Sequence, residues 1–229
     1  MKVILSIVVV MWMACCVGVY GEETKGGKRF RVACWSDWKG EAVFFSQAKR
    51  LSEESMVPVD LMEMAYSGYY PYKAGVPIRF YQRGVKVPYR MIEEVKVPSG
   101  VHEPLIFFFV SGEGKLKYRV FDTSSRKFPF GSYQFVNLSK EDMMVKFTGK
   151  PVMLRAQSAK VIDSFANKKK AYPCRVARKE ATETKVVYSS MIMHRPNKRM
   201  MMFLYPGVDE AKRSKMRTRA LVDYRASGS

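Results

Sequence analysis

The residues of this 229-residue chain that could do chemistry are few, and none belongs to a familiar catalytic motif. The chain has two His and four Cys. Cys34 and His194 could form a nucleophile and base, but 160 positions separate them and no local motif accompanies either. The acidic pairs Glu53-Glu54 and Glu93-Glu94 would point to opposite faces of a strand, so neither alone makes a glycosidase dyad. We therefore predict no catalytic residues, no metal centre and no cofactor.

Basic residues are abundant and unevenly distributed. Residues 22–110 contain 13 cations and 11 anions, whereas residues 111–229 contain 26 cations and 10 anions. A field of this strength attracts polyanions, although a basic surface that only keeps the protein soluble is the alternative. The predicted polyanion-binding residues are Lys168, Lys169, Lys170, Arg175, Arg178, Lys179, Arg195, Lys198 and Arg199.

The predicted partner of this basic half is an anionic envelope polymer or an anionic lipid surface. The chain carries no helix-turn-helix, zinc finger or RNA-binding aromatic motif, so sequence-specific binding of nucleic acid is not expected. We expect residues 125–229 alone to bind such a surface, with an affinity that falls steeply with salt. The sequence indicates neither a protein partner nor an oligomeric state.

Tyrosines cluster in the first half of the chain. Tyr69, Tyr70 and Tyr72 lie around Pro71, and exposed rings of this kind stack on sugars in sugar-binding sandwiches. The alternative is that these rings cover sheet edges and the seam between domains, which is common for Tyr.

The first 21 residues have the order of a secretory signal peptide. Lys2 is followed by an apolar run from Val3 to Tyr20, and a polar segment begins at Glu22. We predict cleavage and export to the periplasm, the outer surface or the medium, with a retained N-terminal membrane anchor as the alternative. Export would place Cys34 and Cys174 in an oxidising compartment, where they could pair in a disulfide or remain two buried thiols that never meet.

The rest of the chain alternates with period two, which is typical of strands. Phe30, Val32 and Cys34 fall on one face of such a run, and the stretch Leu105 to Val110 is apolar on both faces, as in a central strand. About seven strands are expected between Phe30 and Asp122, and seven or eight between Ser132 and Tyr224. We therefore predict an all-β protein with a linker at 22–28 and two tandem antiparallel, immunoglobulin-like β-sandwich domains at 29–124 and 125–229. One large sandwich is the alternative, since the halves show no convincing sequence repeat.

Residues 128–138 carry the pattern Phe-Pro-x-Gly-Ser-Tyr-x-Phe-x-Asn-Leu. This segment and the hairpin after it resemble uncharacterised exported β-rich proteins of Gram-negative environmental bacteria. The resemblance implies an antiparallel fold and export, and it brings no catalytic residues because that family has no established chemistry. Gly131 is expected in a tight turn, with Tyr133 and Phe135 facing the core.

These observations together predict an exported protein of the cell envelope that acts as a non-enzymatic binding or structural module. The alternative is a secreted β-rich protein that binds or acts on polysaccharides, based on the tyrosine cluster and the scattered carboxylates. Such an enzyme would need two carboxyl groups about 5–10 Å apart in an open cleft.

Overall fold

A computed structural model describes residues 27–36, 41–84, 88–110, 116–163, 170–179, 183–206 and 216–225. The predicted signal segment and residues 22–26 of the predicted linker lie outside these ranges. Among the described residues, no helix is long and apolar enough to cross a membrane.

The described residues form sixteen strands and one short 3-10 helix at Glu53–Ser55. The first eight strands are β1 (Lys28–Cys34), β2 (Val43–Ser46), β3 (Val57–Val59), β4 (Tyr70–Tyr72), β5 (Ile78–Arg83), β6 (Tyr89–Val95), β7 (Pro104–Val110) and β8 (Leu116–Asp122). The other eight are β9 (Tyr133–Asn137), β10 (Met143–Lys146), β11 (Val152–Leu154), β12 (Ala159–Ile162), β13 (Lys170–Lys179), β14 (Thr184–His194), β15 (Lys198–Pro206) and β16 (Met216–Tyr224). The predicted all-β fold is confirmed.

The strands form four sheets of four strands, two in each half of the chain. The first half has the strand orders β4-β1-β7-β8 and β3-β2-β5-β6, and the second half has β12-β9-β15-β16 and β11-β10-β13-β14. The sheets are not wholly antiparallel as predicted, because β1 pairs with β7 and β9 pairs with β15 in parallel. The immunoglobulin-like assignment stays a prediction. The predicted boundary at 124–125 lies in the connection between β8 and β9.

Each half has its own hydrophobic core between its two sheets. Phe30, Val32 and Cys34 of β1 face the first core, as the alternation predicts. Tyr133 and Phe135 of β9 face the second core in the same way. Each half is therefore a β-sandwich whose inner residues follow the period-two pattern.

A third hydrophobic core lies between the two sandwiches, so the four sheets stack as four layers. Leu105 and Phe107 of β7 face this core, whereas Ile106 and Phe108 face the first core. The rings of Phe107 and Phe203 stack at its centre, with ring centroids 4.5 Å apart. The prediction that β7 is a central strand buried on both faces is confirmed, and the second sandwich supplies its second cover.

The two sandwiches have the same topology, with each strand of the first matching the strand eight places later. The two sandwiches also share an irregularity in strand pairing. The register of β5 and β6 shifts between Phe80 and Tyr81, and the register of the equivalent pair β13 and β14 shifts between Val176 and Ala177. At the seam, Arg119 and Arg219 are the cross-strand partners of Phe107 and Phe203. The chain thus repeats one eight-stranded unit, and the two copies face each other through equivalent sheets.

Arg119 and Arg219 also make reciprocal contacts across the seam. Arg119 donates a hydrogen bond to the side chain of Gln157 in the second sandwich. Arg219 contacts the carboxylate of Glu63 and the carbonyl of Trp35 in the first sandwich. Each copy of the unit therefore reaches into the other from the same strand position.

Candidate anion-binding site

The outer sheet of the second sandwich presents two cations side by side. Met143 and Val145 of β10 face the core, so Lys146 at the end of that strand points outward and is exposed. Cys174 and Val176 of β13 also face the core, which turns Arg175 outward. Lys146 and Arg175 are direct cross-strand partners, and the Cβ atoms of such partners are about 5 Å apart.

Within the described part of the chain, no ion pair compensates the charge of this pair. Like charges directly opposite each other destabilise a strand pair, and among the described residues no carboxylate forms an ion pair with Lys146 or Arg175. The partner of Arg175 on its other side is Ser189 of β14, which has no charge. An anion placed between the two cations would relieve their repulsion.

A cleft of about 400 Å³ opens beside this pair. Its walls are Lys146, Phe147, Thr148, Gly149, Tyr172, Pro173 and Arg175. The Oγ1 atom of Thr148 is buried and has no hydrogen-bond partner among the described residues. Buried polar atoms are rarely left without a partner, and this atom has no accessible surface through which a ligand in the cleft could reach it without a side-chain rotation.

The cleft exists because β13 is longer than β10. Residues 170–174 of β13 pair only with β14, and the chain leaves β10 at Lys146 in a turn that contains Gly149 at φ +60°. Pro173 lies on this open edge and has no N–H to offer to another strand, which protects the edge from further pairing.

The first sandwich provides an internal comparison. Arg79 of β5 occupies the place of Arg175, and its cross-strand partners are Ser46 and Glu94. Arg79 forms an ion pair with Glu94 at 2.9 Å. In the second unit, Lys146 stands in the place of Ser46 and Ser189 in the place of Glu94. The net charge of these three equivalent positions is therefore zero in the first sandwich and +2 in the second.

The predicted basic residues differ in their exposure and in their partners. Lys170, Arg175 and Arg195 are exposed, and the Lys170 Nζ atom lies 5.8 Å from the ring centroid of Tyr172. Arg178 forms an ion pair with Glu141 at 3.0 Å. Lys168, Lys169 and the side chain of Lys179 lie outside the described part of the chain.

Lys198 and Arg199 are buried, which corrects their assignment to the basic surface. Lys198 donates a hydrogen bond from Nζ to the carbonyl of Met193 at 2.7 Å, and burial together with the nearby charge of Arg195 lowers the pKa of its ammonium group. Arg199 donates to the carbonyls of Thr123 and Phe128 and is 3% exposed. Neither side chain can therefore contribute to binding at the surface.

Arg199 instead belongs to a buried ion cluster that joins the two sandwiches. The Oδ2 atom of Asp223 accepts hydrogen bonds from Arg199 at 2.8 and 2.9 Å and from Arg31 of the first sandwich at 2.9 Å. Burial would raise the pKa of the Asp223 carboxyl, but the hydrogen bonds and charges of the two arginines lower it below its ordinary value. This cluster links the sandwiches in addition to their shared core.

The three tyrosines do not form a sugar-binding platform. Tyr72 is buried and Tyr70 is half-buried, and both rings pack against Phe30 in the first core. Tyr69 is exposed, and the guanidinium groups of Arg29 and Arg31 lie 4.3 and 5.0 Å from its ring centroid. The alternative reading, in which these rings cover sheet edges and the seam, matches this arrangement.

Cys34 and Cys174 form no disulfide with each other, because they lie in the cores of different sandwiches. Burial raises the pKa of the Cys174 thiol to about 12, so this thiol is protonated at neutral pH. His194 is buried beside Tyr133 in the second sandwich. Burial and the charge of Lys198 lower the pKa of its imidazole.

Lys146, Thr148 and Ser189 are not among the site residues that the sequence predicts. Alternation places Lys146 outward between Val145 and Phe147, and that signal is readable in the sequence. The pairing of Lys146 with Arg175 is not readable in this way, because it depends on the register between two strands 29 positions apart.

Comparison of the chain with known proteins adds no assignment to this geometry. No protein-family model matches the sequence, and no curated protein matches it. The resemblance of residues 128–138 to exported bacterial proteins stays a prediction.

Proposed function

We propose that this protein is an exported, non-enzymatic binding module of the cell envelope that holds anionic groups on the outer sheet of its second sandwich. The observation that carries the proposal is the Lys146–Arg175 pair, two exposed cations opposite each other beside a cleft. The net charge of +19 supports it by attracting anionic ligands over a distance.

The chemistry of the cleft favours a phosphate, sulfate or carboxylate group. The guanidinium of Arg175 can donate two parallel hydrogen bonds to such a group, and the Lys146 ammonium adds a compact positive charge. A bound anion would gain these contacts and remove the repulsion between the two cations.

A single substitution tests the proposal with little risk to the fold. Ser189→Glu places a carboxylate beside Arg175, as Glu94 lies beside Arg79 in the first sandwich. We expect the unmodified chain to be retained on a heparin column at low salt, and Ser189→Glu to elute at clearly lower salt because its cation pair is partly neutralised.

The matched control is Ser99→Glu, which makes the same change of charge at an exposed turn of the first sandwich. Its elution should stay close to that of the unmodified chain. If the two variants elute together, only the overall charge matters and the proposed site is wrong. If the unmodified chain is not retained at low salt, the whole proposal fails.

A further inference from the structure

The outer sheet that carries the Lys146–Arg175 pair also exposes large apolar side chains. Met153 of β11 is 54% exposed, and Val186, Met191 and Met193 of β14 are 55%, 62% and 45% exposed. Single exposed apolar residues are ordinary, whereas several on one face mark a surface that meets a partner or a membrane.

The strand register arranges these side chains on both sides of the two cations. One row across the four strands consists of Met153, Met144, Ala177 and Val186. On the other side of the cations, Pro173 pairs with Met191 and Ala171 pairs with Met193. Lys146 and Arg175 therefore stand between two apolar rows, with Lys170 and Arg195 exposed near the far end.

The equivalent face of the first sandwich lacks this combination. Its arginines are paired with carboxylates, Arg79 with Glu94 at 2.9 Å and Arg83 with Glu53 at 3.6 Å. The strand β6 has 7 residues where β14 has 11, and the additional length of β14 carries Met191 and Met193. The amphipathic face thus belongs to the second copy of the repeated unit.

We infer that this face docks on a lipid bilayer that contains anionic lipids. The inference rests on the proposed function, because it names the ligand of the same cations. A soluble polyanion would contact the cations and leave the methionines in water, whereas a bilayer offers phosphate groups to the cations and an acyl boundary to the methionines. Methionine is flexible and apolar, which suits it to an irregular lipid surface.

A second copy of the chain is a poorer occupant of this face. Two such faces in contact would bring Lys146 and Arg175 of one copy against the same cations of the other, and neither cation forms an ion pair with a described carboxylate. The arrangement of charge therefore favours an anionic surface over self-association.

Co-sedimentation of the purified chain with lipid vesicles tests the inference. The vesicles contain one part phosphatidylglycerol to two parts phosphatidylcholine, or phosphatidylcholine alone. We expect binding to the anionic vesicles only, with a loss of about five-fold in affinity for each cation neutralised. The double variant Met191→Gln/Met193→Gln should lower binding to anionic vesicles by about ten-fold and leave retention on heparin unchanged.

Met91→Gln is the matched control, since Met91 is 54% exposed on the equivalent face of the first sandwich. This variant should bind vesicles as the unmodified chain does. Retention on heparin without binding to anionic vesicles overturns the inference and leaves the proposed function intact. Vesicle binding that does not change in the double variant also overturns the inference. So does light scattering that shows a dimer of the unmodified chain and a monomer of the double variant, because the face would then contact a second copy. Failure to bind both heparin and vesicles overturns both proposals.

Discussion

Asp223 is the residue at which buried charges from the two sandwiches meet. Its carboxylate accepts hydrogen bonds from Arg31 and Arg199, which come from opposite sandwiches and are both buried. Further contacts spread the charge of these arginines, since Arg31 lies 4.0 Å from the ring centroid of Tyr66 and Arg199 lies 4.5 Å from that of Phe130. Without the carboxylate, two buried positive charges would face each other.

We predict that Asp223→Asn lowers the free energy of unfolding by about 3–5 kcal/mol, because it removes one partner of a buried ion cluster and leaves the other charges in place. Denaturant unfolding measures the loss. Asp163→Asn is the control, since Asp163 is exposed and such a change is expected to stay within about 0.5 kcal/mol. Equal stability of the two variants would contradict the role given to Asp223.

Asp223 and His194 both contribute to the pH dependence of stability, and Asp122, whose pKa is also lowered, adds to the loss at acid pH. The pKa of Asp223 is lowered in the folded protein, so its contribution is present above the unfolded-state pKa of about 4 and is lost as the pH falls below it. The pKa of His194 is also lowered, so stability begins to fall below about pH 6.5, where the unfolded chain binds a proton first. Denaturant titrations between pH 7.5 and 3 should show both losses, and His194→Gln should remove the one at higher pH. An unchanged profile in His194→Gln would refute this assignment.

Burial at the residue scale was predictable for apolar residues and not for charged ones. Alternation correctly placed Phe30, Val32 and Cys34 inward. Arg199 was predicted at the surface because cations usually lie there. Its burial depends on a carboxylate of another strand and on an arginine of the other sandwich, 168 positions away in the sequence. The alternation of apolar and polar residues along one strand contains no information about such distant partners.

At the scale of elements, the turn before β9 shows why one glycine matters. Gly131 has φ +83°, a backbone conformation that costs other residues about 1–2 kcal/mol. An added Cβ atom would lie 3.5 Å from the carbonyl oxygen of Pro196, which is an ordinary van der Waals contact, so the cost lies in the backbone conformation. The tight turn predicted at this position is therefore confirmed.

We predict that Gly131→Ala lowers the free energy of unfolding by about 1–2 kcal/mol, measured by thermal or denaturant unfolding. Gly100→Ala serves as its control, because nothing lies within 4 Å of the added Cβ atom and the backbone at Gly100 is not in the left-handed region. An equal effect of the two substitutions would mean that the positive φ of Gly131 is not what makes it necessary.

The existence of the strands was predictable, whereas their pairing was not. The alternating runs predicted the number of strands closely, and the doubly apolar run of β7 correctly indicated a strand covered on both faces. Parallel pairing of β1 with β7 joins segments 74 positions apart with no signal in either segment. The candidate site was hidden for the same reason, since Lys146 and Arg175 become neighbours only through the register of β10 and β13.

At the scale of the whole molecule, the repeated unit was invisible in the sequence. Equivalent positions such as Glu94 and Ser189, or Phe121 and Leu221, share a place in the fold without sharing a residue. An eight-stranded sandwich requires only that apolar side chains alternate along each strand, so the two copies retain the pattern and not the identities. The sequence predicts that residues 125–229 alone bind an anionic surface. Without the first sandwich, however, this fragment would expose Val136, Met201 and Phe203 of the third core to water. The binding experiments therefore use the whole chain.

The shared core predicts that the two sandwiches unfold together in a single calorimetric transition. Phe203 is 1% exposed and stacks on Phe107, so Phe203→Ala should lower the free energy of unfolding by about 3–5 kcal/mol. Leu51→Ala is the control, because Leu51 is 44% exposed and lies outside this core. Two separate transitions in the unmodified chain would contradict the view that the third core joins the sandwiches into one cooperative structure.

The central claim is that the Lys146–Arg175 pair binds anionic groups, and the salt dependence of binding tests it most directly. The dissociation constant for soluble heparin is measured at several salt concentrations for the unmodified chain, Ser189→Glu and Ser99→Glu. Each cation that contacts an anionic group adds about one to the slope of log affinity against log salt. We predict that the slope falls by about one in Ser189→Glu and is unchanged in Ser99→Glu. A slope that is the same in all three proteins would contradict the claim, because the charge of the pair would then play no part in binding.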